Sequence, residues 1–116
     1  MHSIVLTVHN KDWLLSDVLD GIKKNTTGDY EIVIVLDGCG DKSEEIWKNF
    51  SQRNLHIKTK TVHTPDVFET KANNAGLKVC EGDKVIIVQD DMVIKEVGWN
   101  KRLEMPFKYF NDVGIL

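Results

Sequence analysis

Cysteine and proline are scarce in this sequence of 116 residues, with two of each. Cys39 and Cys80 stand singly and far apart, so neither the paired spacing of a zinc site nor a disulfide framework is present. That usage points to a reducing compartment, and a cytoplasmic location is expected. With so little proline, no Pro/Ser-rich linker and no internal repeat, the expectation is a single domain over residues 1–116. No apolar run approaches the roughly 18–20 residues of a membrane span. The opening Met-His-Ser-Ile-Val-Leu lacks the basic and cleavage regions of a secretory signal. Nor is there an excess of positive charge: 15 Lys and Arg stand against 18 Asp and Glu, for a formal charge of -3. No nucleic-acid partner is expected from that balance.

Four short apolar or alternating runs are present. Ile4-Val5-Leu6, Ile32 through Leu36 and Val85 through Val88 are continuous, the pattern of strands buried on both faces of a parallel sheet. His56 through Val62 alternates, which suits an edge strand with one wet face. Helical spacing lies between them. Leu14, Val18 and Ile22 share a stripe within Trp13–Lys24. Asp41 can cap a helix that runs to Phe50 and turns Ile46, Trp47 and Phe50 inward. Phe68, Ala72, Ala75 and Val79 repeat within Asp66–Val79. A last helix is expected over Trp99–Lys108, kinked at Pro106, and a last strand over Val113–Leu116. Strict strand–helix alternation predicts an α/β domain with a mostly parallel central sheet and right-handed crossovers.

Ligands of open α/β sheets bind beyond the carboxyl ends of the strands. Those ends carry Thr7, Val8, His9 and Asn10; then Asp37, Gly38, Cys39, Gly40 and Asp41; then His63 to Asp66; and finally Gln89, Asp90, Asp91 and Met92. No Gly-x-Gly-x-x-Gly follows the first strand and no Gly-Lys-Ser/Thr occurs, so neither usual nucleotide-binding glycine loop is present. Gly38 and Gly40 suit a tight turn, and Cys39 between them reads as a small turn residue without a base to activate it. Adjacent carboxylates at Asp90 and Asp91 end a buried strand and repel each other. A hard divalent cation that also binds phosphate would offset them, although on this pair alone two aspartates solvating a turn is the favoured reading. Alternation along an extended chain puts Gln89 and Asp91 on one side and Asp90 on the other, which makes Asp91 the better ligand.

In this order and spacing the segments resemble the nucleotide-binding half of a family 2 glycosyltransferase with the GT-A fold, a Rossmann-like α/β/α sandwich. Ser3 to Asn10 is similar to the opening strand with its Thr/Ser-Tyr-Asn-like turn. Val35-Leu36-Asp37-Gly38-Cys39-Gly40-Asp41 resembles the segment built on Val and Asp-Asp-Gly-Ser-Thr-Asp. Lys71 to Gly76 resembles the Ala-Arg-Asn-x-Gly helix, and Val85 to Met92 the strand leading to Asp-x-Asp. The resemblance covers nearly the whole chain.

It implies a domain that binds a nucleoside diphosphate sugar, with UDP favoured. His9 takes the position of the aromatic that stacks on the base, and Asp37 accepts a hydrogen bond from it. Thr7, Asn10, Lys71, Asn74, Gln89 and Asp90 complete the nucleotide-sugar contacts, and Asp91 holds Mn²⁺ or Mg²⁺. The implied reaction is displacement at the anomeric carbon with inversion, onto the hydroxyl of an unnamed glycan, lipid or protein acceptor. Leu36 and Gln89 replace the first acids of their two motifs, and the Gln89 exchange removes a charge from the metal site. The general base lies well beyond Asp-x-Asp in this family, so the sequence is expected to lack the acceptor-binding half. Glu96, Glu104 and Asp112 have no motif behind them. The alternative is a non-catalytic nucleotide-sugar-binding module, assembled with a partner chain or as a homo-oligomer. A signalling receiver domain lacks its paired acids here, and a sugar-nucleotide pyrophosphorylase lacks its glycine-rich loop.

Overall fold

The continuous apolar runs become the central strands of a parallel sheet. The computed structural model describes residues 1–103. In chain order the elements are β1 (His2–Val8), α1 (Asp12–Asn25), β2 (Tyr30–Asp37), α2 (Ser43–Arg53), β3 (Lys58–Thr64), α3 (Phe68–Leu77) and β4 (Lys84–Gln89). The strands pair in parallel in the order β3-β2-β1-β4. Because side chains alternate along a strand, β1 and β2 each feed two cores. Ile4, Leu6, Val8, Ile32, Ile34 and Leu36 pack with Leu15, Val18, Leu19 and Ile22 of α1 and Trp47 and Phe50 of α2. Val5, Val33 and Val35 pack with Ala72 of α3 on the other side. The result is a three-layer α/β/α sandwich.

The alternating β3 lies at one edge, as its pattern indicates. β4 differs from expectation. It is the outer strand at the opposite margin among the described residues, so Ile86 and Val88 are buried while Val85 and Ile87 are only half-buried. α3 also differs, starting at Phe68 instead of Asp66. Asp66 and Phe68 both have left-handed backbone, with φ of 56° and 69°, which stops the helix from extending back beyond Phe68. Phe68 is therefore not in the core but 80% exposed. Asp41 does serve the start of α2: its Oδ1 accepts the Ser43 amide at 3.0 Å. Residues 99–103 are helical; the rest of the helix expected to Lys108, and the strand expected at Val113–Leu116, lie outside the described residues. No helix among the described residues is long and apolar enough to cross a membrane.

Glu31, at the start of β2, is fully buried. Its Oε2 accepts the Ser3 hydroxyl and the Glu81 amide, each at 2.6 Å, and the Lys60 ammonium stands 3.4 Å from Oε1. Residues of β1, β2 and β3 and of the approach to β4 thus meet on one carboxylate. On the other face, α3 lies against the sheet at Gly76, where a β-carbon would fall 2.8 Å from both Val35 Cγ2 and Val5 Cγ1. Gly76→Ala gains helix propensity of about 1 kcal/mol but overpacks both valines. A net destabilisation of about 1–2 kcal/mol is expected in urea unfolding. An unchanged or raised midpoint would show that α3 is free to shift.

Candidate functional site

The carboxyl ends of the four parallel strands open into a cleft of about 480 Å³. Its floor and first wall come from β1 and β4. Thr7, one residue before the end of β1, donates its hydroxyl to Asn73 Oδ1 at 2.6 Å, which joins β1 to α3. The His9 amide donates to Asp90 Oδ2 at 3.0 Å and so joins the β1 and β4 ends. β4 stops at Gln89, and a turn closed by the Met92 amide on the Gln89 carbonyl follows. The strand ends there, and Gln89, Asp90 and Asp91 all line the cleft.

The second wall is organised by Asp37, only 3% exposed at the end of β2. Its Oδ1 accepts the Thr64 hydroxyl at 2.7 Å and the Val67 amide at 2.8 Å. Its carbonyl accepts the His9 ring Nδ1–H at 2.6 Å, which sets that tautomer when the imidazole is neutral. Next in sequence, Gly38 has φ of 60°, and a β-carbon there would stand 2.6 Å from Asp66 Cβ. The positive φ and the closeness of Asp66 both require glycine there.

Of the positions singled out in the sequence, Thr7, His9, Asp37, Gln89, Asp90 and Asp91 converge on the cleft. Asn10, Lys71 and Asn74 are not among its lining residues. Asn10 instead accepts the Gly40 amide on Oδ1 at 2.9 Å and so holds the loop after β2. Lys71 and Asn74 are exposed on α3. Asn73 and Glu69 take the cleft side of that helix, a turn apart and adjacent to the inward Ala72. Helical phasing from Ala72 and Gly76 is the signal that finds them. Asp66, at the strand-end segment after β3, lines the cleft as well, and so do Lys11 and Phe68, which no pattern in the sequence marks as cleft residues. Cys39 donates its thiol to the Val8 carbonyl at 3.2 Å, and burial pushes its pKa up, in keeping with a turn residue.

Two sets of groups could hold a cation. One ligand atom each from His9, Asp37 and Asp66 lies within 4.8 Å of the others. In that trio the His9 Nδ1 is already engaged by the Asp37 carbonyl. At the β4 end, Gln89, Asp90 and Asp91 supply oxygen donors, with Glu69 accepting from the Gln89 amide at 3.3 Å. An all-oxygen set of this kind fits a hard divalent ion such as Mn²⁺ or Mg²⁺.

The family model described as Glycosyl transferase family 2 matches residues 3–107. The chain belongs to that family. It is 26% identical over 102 residues to the uncharacterized glycosyltransferase EpsJ of Bacillus subtilis, covering 88% of this chain and 29% of EpsJ. It is 30% identical over 95 residues to the glycosyltransferase GlyG of Streptococcus pneumoniae, covering 81% of this chain and 31% of GlyG. The chain thus spans about three-tenths of the length of these relatives. Two GT-A glycosyltransferase structures share its fold. Staphylococcus aureus TarS 1–349 in complex with UDP superposes with a TM-score of 0.76 at 21% identity, over 92% of this chain and 32% of that one. The mannosyltransferase PcManGT from Pyrobaculum calidifontis, in complex with GDP-Man and Mn²⁺, gives 0.74 at 18% identity, over 78% and 27%.

In this family 2 domain the His9 imidazole has a pKa raised above its ordinary 6.5. The Asp37 carbonyl is the main cause; partial desolvation opposes it, and the Asp66, Asp37 and Asp90 carboxylates add to the rise. A raised folded value means that protonation stabilises the fold. The contribution is complete below the unfolded value and is lost as pH rises through the folded one. Half-exposure of the ring keeps it small. An NMR titration should place the His9 midpoint above 6.5, and Asp66→Asn should lower it. A wild-type midpoint at or below 6.5 would contradict the arrangement.

Proposed function

We propose that this family 2 domain binds a nucleoside diphosphate sugar, with UDP favoured, and presents it for transfer to an acceptor hydroxyl with inversion at the anomeric carbon. The observation that carries the reading is the convergence of Asp37, His9 and the Gln89–Asp91 turn on one cleft at the sheet's carboxyl end. That cleft belongs to a chain of a glycosyltransferase family. The complexes of TarS with UDP and of PcManGT with GDP-Man and Mn²⁺ support the same ligand class.

Asp37 would accept from the base, its carboxylate already oriented by Thr64 and Val67. Lying after β2, it stands two strands away from the β4 end. The base and the diphosphate would then take opposite ends of the cleft, with Asn73 and Thr7 between them. Asn10 would act through the loop it holds, and Lys71 and Asn74 remain proposed contacts from α3.

Charge makes a cation part of the reading. The carboxylates of Asp37, Asp66, Glu69, Asp90 and Asp91 outnumber Lys11 and His9 around the cleft, so a diphosphate entering alone meets net repulsion. Asp91, with Gln89 and Asp90 beside it, would hold Mn²⁺ or Mg²⁺. A divalent cation there offsets the charge that grows on the departing diphosphate. The acceptor is a glycan, lipid or protein hydroxyl, and a carboxylate general base completes the transfer; Glu96 is paired with Arg102 instead.

A second reading is a binding module that holds the donor without turnover, alone or with a partner chain or a second copy. The commitment of the neutral Gln89 to Glu69 favours it, because the metal site then lacks one charge. Metal-dependent release of UDP from a UDP-sugar supports the enzyme, and binding without release supports the module. For either, UDP with Mn²⁺ should raise the melting temperature more than UDP or Mn²⁺ alone. With UDP present, Gln89→Asp should tighten Mn²⁺ binding by roughly tenfold, through the added ligand charge. Equal or tighter binding by the wild type would remove Gln89 from the metal site.

A further inference from the structure

Phe68 is a bulky side chain held where the backbone favours glycine. Its φ is 69°, a true outlier for a residue of this size. Its ring is 80% exposed, so no packing in the core offsets that strain. The loop leading to it is not slack. Val67 is bound through its amide to Asp37, Thr64 through its hydroxyl to the same carboxylate, and the Gly38 amide donates to the Thr64 carbonyl at 2.8 Å. On the far side, Glu69 accepts from Gln89 across the cleft. Phe68 is therefore fixed between an Asp37 anchor and a Gln89 anchor, with an exposed ring lining the cleft. Strain maintained by surrounding contacts clusters at ligand-binding positions.

We propose that Phe68 is the stacking platform for the planar base of the donor nucleotide. The proposal rests on the nucleotide-sugar reading of the cleft and adds the residue that grips the base. His9 is the weaker candidate for that contact. Its ring edge is tied to the Asp37 carbonyl, and an imidazole covers less of a base than a phenyl ring does. Asp37, one hydrogen bond from Val67, would read the base edge while Phe68 covers its face. Stacking accepts any base because each has a π-face, so Phe68 sets affinity and Asp37 sets preference.

Glycine adopts φ of 69° without strain, so Phe68→Gly removes the ring while suiting the local backbone. Isothermal titration in saturating Mn²⁺ compares UDP with inorganic pyrophosphate, which has no base. Phe68→Gly and Phe68→Leu should each weaken UDP by about 5- to 150-fold and leave pyrophosphate unchanged, while Phe68→Tyr keeps wild-type affinity. Unchanged UDP affinity in Phe68→Leu, or equal losses for UDP and pyrophosphate, overturns the stacking role and leaves the donor site standing. A wild type that binds pyrophosphate with Mn²⁺ but no UDP or GDP overturns the nucleotide reading and the stacking role with it.

Discussion

The Asp37 carboxylate is the constraint on which the cleft depends. A carboxylate 3% exposed cannot be left without partners, since desolvating a charge is expensive unless hydrogen bonds replace the water. Here the donors are the Thr64 hydroxyl and the Val67 amide, and both lie in the connection from β3 to α3. Hydrogen bonds to charged groups contribute about 1.5–3 kcal/mol each, enough to hold a short loop against its conformational entropy. The carbonyl of the same residue receives His9 from the β1 end. One side chain and its own peptide group therefore join the ends of three strands, and Asp90 adds the fourth through the His9 amide.

β2 is pinned at both ends by the same device. Glu31 at its start is buried and bonded to Ser3 and Glu81, with Lys60 close by; Asp37 at its end is bonded to Thr64 and Val67. The intervening Ile32, Val33, Ile34, Val35 and Leu36 have almost no exposed surface. Slippage by one residue would exchange the side chains feeding its two cores and strand both carboxylates, so the register with β1 and β3 is strongly specified. The site inherits its positional accuracy from the sheet, and its loops need only short tethers.

This explains which features were legible in the sequence. Continuous apolar runs and helical stripes report burial, so the parallel sheet and α1, α2 and α3 could be read from residue type alone. Asp37, His9 and Gln89 to Asp91 were legible because strand ends fix where they must emerge. The face of α3 was harder. Ala72, Asn73 and Asn74 are consecutive small or polar residues, and the choice between the two asparagines rests on which neighbour touches the sheet. Gly76 holds that answer through its contact with Val5 and Val35. Phe68 was illegible for a stronger reason: apolar periodicity assigns it to the core, and only the left-handed backbone at the helix start shows that its ring turns outward. That start is set by tertiary structure: Gly38 leaves room for Asp66, and Val67 is held by Asp37, pairs of segments far apart in sequence.

The distribution of charge gives the cleft its direction. Along the strand order β3-β2-β1-β4, the β3 and β2 ends present an aromatic ring and an oriented carboxylate. The β4 end presents Asp90 and Asp91, whose repulsion asks for a cation. On the proposed reading, a ligand matching both ends would be planar with hydrogen-bond donors at one end and anionic at the other, its anion accompanied by a divalent metal. A free phosphate satisfies one end and a nucleoside the other; joining them converts two weak contacts into one constrained placement. The acidic balance of the cleft would make the proposed metal position unfavourable to leave empty beside a diphosphate. On the proposed reading, donor and cation would be coupled through electrostatics, and the coupling would come from the carboxylates of Asp37, Asp66, Glu69, Asp90 and Asp91 around the cleft.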